Sequence, residues 1–154
     1  MSEKERLIIE SGNIEQPFNY AIGLHGSVFF KELRDNRRFM GIRCPKCKKV
    51  FIPPRRVCGE CFVEMEEFVE VGPKGKIGTF TILRYAFIDP ETGEKKPVPY
   101  GYGFILLDGA DTLFQHYISI EDEKKVKVGT PVEAVFSEER KGTIRDIQYF
   151  RVID

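Results

Sequence analysis

The chain has 154 residues, of which 42% are hydrophobic, 31% charged and 12% aromatic, with 24 basic and 24 acidic side chains and no net charge. A chain of this size buries about 68–70% of its unfolded surface, so a folded domain is expected. A zero balance argues against a dedicated nucleic-acid binder, and no apolar run approaches the roughly 20 residues needed to span a bilayer. Residues Met1–Glu10 are charged and lack a signal-peptide core, so a cytoplasmic protein with no membrane contact is expected.

In chain order, residues 1–22 show no strong period, and Gln16–Tyr20 reads as a loop. Ser27 reads as the cap of a helix running through Asn36, with Val28, Phe29, Phe30 and Leu33 on its apolar side. Phe39–Arg43 and Val50–Ile52 read as short strands around a cysteine pair, the second stopped by Pro53-Pro54. Glu64–Glu70 reads as a solvated acidic connector, ending at the turn signal Gly72-Pro73-Lys74-Gly75. Beyond it, Lys76–Arg84, Tyr102–Leu107, Thr112–Ile118, Val132–Phe136 and Ile147–Ile153 read as strands, with a tight turn at Asp108-Gly109. Five strands without a long amphipathic helix suggest an OB-like closed barrel, with an SH3-like barrel or small sandwich as alternatives. The fold expected is mainly β. It divides into an N-terminal segment with a helix (1–37), a rubredoxin-like four-cysteine zinc ribbon with acidic linker (38–71), and a five-stranded OB-fold β-barrel (72–154).

The neutral total hides a split. Residues 37–59 carry eight basic side chains and no acidic one, and residues 60–71 carry five acidic and no basic one. All four cysteines lie in this region, as Cys44-x2-Cys47-x10-Cys58-x2-Cys61. Each C-x2-C pair can turn two thiolates toward one point, and two such knuckles supply four ligands for tetrahedral zinc. Four protein ligands leave no open position for substrate, so the ion is expected to be structural. Iron in a rubredoxin-like electron carrier is the alternative. Lys46, Lys48, Lys49, Arg55 and Arg56 are placed to offset thiolate charge, and Gly59 to supply the tight backbone of a knuckle.

With the cysteines so used, no thiol nucleophile is left. His25 and His116 are the only histidines, and His116 reads as a packed residue within an apolar strand. There is no nucleophile elbow and no phosphate loop, and Gly101-Tyr102-Gly103 is too short for a dinucleotide fingerprint. The pattern favours a binding or accessory subunit.

The order of helix, four-cysteine ribbon with Phe51-Ile52-Pro53-Pro54-Arg55, and barrel with Gly129-x2-Val132-x3-Phe136 resembles a family of zinc-ribbon/OB-fold proteins that accompany thiolases. The resemblance implies that Cys44, Cys47, Cys58 and Cys61 are metal ligands. It also implies a non-catalytic subunit of a thiolase-type acyl-CoA C-acyltransferase in a hetero-oligomer, with the thiolase-superfamily partner supplying the catalytic groups. Some members bridge an acetoacetyl-CoA thiolase and a hydroxymethylglutaryl-CoA synthase. Others are integral subunits of catabolic thiolases, including one that cleaves benzoylsuccinyl-CoA in anaerobic toluene degradation. The catabolic subunit is the reading favoured here.

Arg55 and Arg56, with Lys74 and Lys76, are candidates to bind the phosphates of a coenzyme A thioester. Phe87, Pro97, Tyr100 and Tyr102 are candidates for a partner interface. An OB-fold nucleic-acid module remains an alternative, disfavoured by the near-neutral barrel.

Overall fold

The computed structural model describes residues 8–10, 19–89 and 93–153. A two-stranded antiparallel pair, β1 (Ile8–Glu10) and β2 (Asn19–Ala21), precedes helix α1 (Gly23–Asn36). Asn19 and Tyr20 are therefore strand residues, not loop; Gln16–Phe18 lie outside the described residues. The helix begins a turn before the expected start. Gly23 adopts φ 73°, and Ser27 is not a cap: it is buried inside the helix, and its hydroxyl donates to the Gly23 carbonyl at 2.7 Å. Arg37, in the left-handed region, stops the helix.

A three-stranded sheet follows, ordered β4–β3–β5, from β3 (Phe39–Arg43), β4 (Val50–Phe51) and β5 (Glu67–Val71). The last strand corrects the sequence reading. Glu67–Val71 is not a connector but pairs antiparallel with all of β3, from Phe39↔Val71 to Arg43↔Glu67. Its glutamates obscure a pattern that still buries Val71 and half-buries Phe68 and Val69. The charge split of the sequence is the pairing of this region with itself. Arg38 meets Glu70 at 3.4 Å, Arg43 meets Glu67 at 3.7 Å, Lys49 meets Glu60 at 2.5 Å and Arg56 meets Glu64 at 2.6 Å.

The barrel is closed in the order β10–β8–β7–β6–β9. Its strands are β6 (Lys74–Leu83), β7 (Tyr100–Leu107), β8 (Leu113–Ile118), β9 (Pro131–Phe136) and β10 (Ile147–Val152). Neighbours pair antiparallel except β8 and β10, which meet in parallel at Phe150↔Ile118. All five predicted strands are present, and the barrel and ribbon match the expected OB-fold and rubredoxin-like classes. The glycines of Gly101-Tyr102-Gly103 serve close strand packing: a Cβ on Gly103 would lie 2.3 Å from the Thr79 carbonyl oxygen.

One core unites helix, ribbon and barrel. Phe39 at the start of β3 is fully buried, with its ring 5.5 Å from Phe114, 5.6 Å from Phe136, 6.1 Å from Phe150 and 6.4 Å from Phe29. The turn after β7 adds polar ties to the ribbon. Asp111 accepts from the Val50 N–H through its carboxylate at 2.8 Å and donates its own N–H to the Val50 carbonyl at 2.9 Å. The Thr112 hydroxyl accepts from the Ile52 N–H at 2.8 Å and donates to the Ile52 carbonyl at 3.1 Å. The tight turn predicted at Asp108-Gly109 is thus also the joint between the modules.

Phe39→Ala removes a ring that touches all three parts of the core. It is expected to cost about 3–5 kcal/mol, read as a lower urea midpoint in equilibrium unfolding.

Candidate metal centre and barrel sites

The two knuckles repeat one backbone design. In the first, the Cys47 N–H donates to Cys44 Sγ at 3.4 Å, the Lys48 N–H donates to the Cys44 carbonyl at 3.0 Å, and Lys48 takes φ 66°. In the second, Cys61 donates to Cys58 Sγ at 3.4 Å, Phe62 to the Cys58 carbonyl at 3.0 Å, and Phe62 takes φ 55°. The left-handed residue is the one after each second cysteine. Gly59 is not needed for it: its φ is ordinary, and a Cβ there would meet only the Arg55 guanidinium at 3.7 Å. A Phe in the left-handed region is sterically costly, and Phe62 is also 81% exposed.

The four sulfurs lie within 4.8 Å of one another, and Cys47 and Cys58 Sγ are 3.8 Å apart. Ligands at about 2.3 Å in a tetrahedron stand about 3.8 Å apart, so the set fits zinc. The electrostatics also fit. At Cys44 burial opposes ionisation, but N–H groups of Cys47 and Lys46 and the thiols of Cys47 and Cys58 outweigh it and bring the thiol to about 6. Burial, reinforced by the thiols of Cys47, Cys58 and Cys44, pushes Cys61 up to about 12. Hydrogen bonds thus favour the thiolate at Cys44 while burial opposes it at Cys61. A divalent ion removes that conflict.

The cations expected to bind phosphate fall on two different modules. Arg55 lies over the Phe51 ring at 4.7 Å and Arg56 pairs with Glu64, both on the ribbon. Lys74 and Lys76 stand at the start of β6, in the barrel. Of the interface candidates, Tyr100 and Tyr102 come together around Tyr117, at ring distances of 5.7 and 5.0 Å. The Lys96 ammonium lies 3.1 Å above the Tyr117 ring. Phe87 packs on Tyr85 at 5.2 Å in the loop before, and Pro97 is exposed beside Lys96.

Family models match most of the chain. Residues 32–66 match the ChsH2 rubredoxin-like zinc ribbon domain, and residues 68–137 match the ChsH2 C-terminal OB-fold domain. The chain belongs to the ChsH2 (DUF35) family of zinc-ribbon/OB-fold proteins. A DUF35 domain-containing scaffold protein of Methanocaldococcus jannaschii is 29% identical over 108 residues, covering 70% of this chain and 73% of that protein. Another, of Pyrococcus furiosus, is 28% identical over 109 residues, covering 71% and 76%. Among solved structures, a DUF35 protein of unknown function from Sulfolobus solfataricus superposes with a TM-score of 0.61 at 24% identity, covering 85% of this chain and 87% of that one. The Ltp2-ChsH2(DUF35) aldolase superposes with a TM-score of 0.58 at 20% identity, covering 82% and 93%. At these identities the solved structures speak for the fold alone. The family's ribbon carries zinc in its description, which agrees with the four-sulfur geometry here. No helix among the described residues is long and apolar enough to cross a membrane.

Within this ChsH2-type barrel, His116 is buried as the sequence suggests. Its ring stacks on Phe114 at 6.1 Å, and Nε2 lies 3.4 Å from the Ile144 carbonyl oxygen. Burial lowers its pKa to about 4. Asp146, also buried, was not singled out by sequence. Its carboxylate accepts the N–H groups of Lys141 and Gly142, both at 2.8 Å, and so holds the turn before β10. The signal available was the turn sequence Arg140–Thr143 with a carboxylate a few residues on.

The His116 shift has a defined sign. The folded protein holds the imidazole neutral while the unfolded chain binds a proton below about 6.5, so stability from this group is complete above 6.5 and falls as pH drops toward 4. The full shift is worth about 3 kcal/mol. His116→Phe, which keeps the stack on Phe114, is expected to flatten the decline in unfolding free energy between pH 6.5 and 4 relative to the parent chain.

Proposed function

We propose that this chain is a non-catalytic accessory subunit of a thiolase-type acyl-CoA C-acyltransferase, holding its partner in an active assembly and contributing to the binding of the coenzyme A thioester. Membership of the ChsH2 family carries the reading, since that fold is described as a scaffold in two relatives and is part of a solved aldolase complex in another. Cys44, Cys47, Cys58 and Cys61 would hold one zinc ion that shapes the ribbon. Zinc there supplies folding energy rather than chemistry, because the sulfurs fill its coordination sphere. Arg55 and Arg56, both at the ribbon surface, are the groups proposed to reach a coenzyme A phosphate, Arg56 by exchanging its exposed partner Glu64 for the ligand. The pathway proposed is a catabolic one of the kind that degrades aromatic acyl-CoA thioesters.

A second reading is favoured by the scaffold description of the two archaeal relatives. In it the chain bridges two enzymes, an acetoacetyl-CoA thiolase and a hydroxymethylglutaryl-CoA synthase. The two readings separate by stoichiometry: one enzyme type bound, or two at once.

Co-expression with a candidate thiolase-superfamily partner from the same genome is expected to give a single species on size-exclusion chromatography, with about one zinc per copy of this chain. Cys58→Ser is expected to lose both the zinc and co-elution, because metal binding and ribbon folding are coupled. Arg55→Ala with Arg56→Ala should keep zinc and co-elution while raising the KM for the acyl-CoA severalfold. Separate elution of the parent chains, with thiolase activity unchanged by this subunit, overturns the proposal.

A further inference from the structure

The outer surface of the barrel is not uniform. On β6 the outward positions include Lys74, Lys76, Thr79 and Thr81, and on β9 and β10 they include Glu133, Gln148 and Arg151. That is the pattern of a sheet with one face in water. The β7–β8 hairpin breaks it. Its inward residues Ile105, Leu107, Phe114 and Ile118 are buried, as a barrel requires. Its outward residues are Tyr100, Tyr102, Phe104 and Leu106 on β7, and Leu113, Gln115 and Tyr117 on β8. They stand in register as Leu106↔Leu113, Phe104↔Gln115 and Tyr102↔Tyr117. Phe104, Leu106 and Leu113 are 38%, 41% and 44% exposed. A strand pair apolar on both sides is built to be covered on both sides.

Charge at the ends of the face bears on what covers it. No carboxylate stands at the outward positions of β7 and β8; Asp89, paired with Arg145, and Glu121 line the hollows beside Tyr117. Lys76 pairs across to Leu106 at one end, and Lys96 lies over Tyr117 and Tyr100 at the other, 3.1 and 5.4 Å from the ring centres. Neither lysine has a carboxylate partner among the described residues. A second copy of the chain, laid face to face about a two-fold axis, brings no carboxylate from its own outward strand positions to meet these cations. A single nucleic-acid strand needs cations along its whole path and rings free to stack. Here two lysines stand at the extremes, Leu occupies two of the outward positions, and the Tyr117 ring is already covered by an ammonium. What fits is a protein surface with an apolar centre and carboxylates at its edges.

Two hollows flank Tyr117. One of about 440 Å³ is lined by Tyr102, Gln115, His116 and Arg145 among others, and one of about 300 Å³ by Pro99, Tyr100, Ser119 and Tyr149 among others. Such depressions beside aromatic side chains suit the anchoring residues of a partner. The outward row from Tyr100 to Leu106 is about 20 Å long. That is the centre of an interface rather than the whole, since a stable one covers about 800 Å² per partner.

We propose that the outward face of the β7–β8 hairpin is the central docking surface for the partner enzyme, meeting an apolar patch edged by carboxylates that pair with Lys76 and Lys96. The proposal rests on the accessory-subunit reading and adds to it where the partner sits.

The test uses the full chain and the thiolase-superfamily subunit named above, with affinity measured by titration. Phe104→Thr with Leu106→Thr keeps strand propensity and removes the apolar centre. It should weaken binding at least 30-fold, with circular dichroism, zinc content and urea midpoint little changed. Lys76→Glu with Lys96→Glu leaves the apolar residues in place. It should slow association at least tenfold at low salt, with the difference shrinking at high salt. Val128→Thr, an exposed apolar residue elsewhere, should bind as the parent does. If the parent binds and both double variants bind equally well, the docking face is wrong and the accessory-subunit reading stands. If the parent itself does not bind, that reading fails and the proposal falls with it. Concentration-dependent dimerisation of the parent, or binding of an oligo-dT probe, that is lost in Phe104→Thr with Leu106→Thr assigns the face to another occupant and overturns the proposal.

Discussion

Four sulfurs drawn within 4.8 Å of one another are the constraint on which the ribbon depends. The ribbon's own apolar cluster is small: Ile42, Phe51 and Met65 with the buried Cys44 and Cys58. A module of that size does not bury enough surface to hold its shape without a staple. The thiols alone do not supply it, because burial, reinforced by the neighbouring sulfurs, opposes ionisation of Cys61. A cation at the centre offsets that opposition with four bonds. The consequence reaches beyond the ribbon, since β3 carries Phe39, and Phe39 fills the junction of helix, ribbon and barrel.

The charge blocks have a different role. A basic stretch followed by an acidic one suggests an external polyanion in the sequence, but folding brings the two blocks side by side. The resulting ion pairs are exposed, and pairs of that kind contribute at most about 1 kcal/mol each. They do not explain stability. Arg38–Glu70 and Arg43–Glu67 lie along the pairing of β3 with β5, while Lys49–Glu60 and Arg56–Glu64 join segments around the knuckles. Arg55 is held by a ring face and Arg56 by one of these exposed pairs, contacts that a phosphate can displace at small cost.

What the sequence reveals follows from the range of the interactions involved. The barrel strands are legible because one side of each must be apolar, and Val132–Phe136 and Ile147–Ile153 show it directly. The cysteine spacing is legible because a knuckle is a local structure. The strand β5 is not, since two of its five residues are glutamates and Glu64 and Glu66 lead into it, and its identity comes from pairing with β3 about 30 residues away. The sequence points to Gly59 for the tight backbone of a knuckle because glycine suits such turns; the left-handed positions, Lys48 and Phe62, are set by the backbone closing around sulfur. The joint between Val50, Ile52, Asp111 and Thr112 spans about 60 residues and consists of hydrogen bonds that no hydrophobic pattern records. The outward apolar face was half visible. Tyr100 and Tyr102 stand out as aromatic, while Phe104 and Leu106 hide in a run that reads as ordinary core.

That joint links the metal centre to the outer barrel. The turn that bonds to Val50 and Ile52 closes the β7–β8 hairpin, and Leu113, at the edge of its apolar face, directly follows Thr112. The strand carrying Val50 belongs to the sheet shaped by the cysteine knuckles, where the Cys44 N–H donates to the Lys49 carbonyl one residue before it. Loosening the knuckle therefore frees the edge that holds the hairpin's turn. At that end β7 is held by β6 from Gly75↔Leu107, while the β8 pairing with β10 lies at the far end of the strand, at Phe150↔Ile118, so the bonds from Asp111 and Thr112 tie down the β8 side of the turn. The hydrogen bonds at Val50 and Ile52 thus run from the strand beside the cysteine knuckles to the turn of the hairpin.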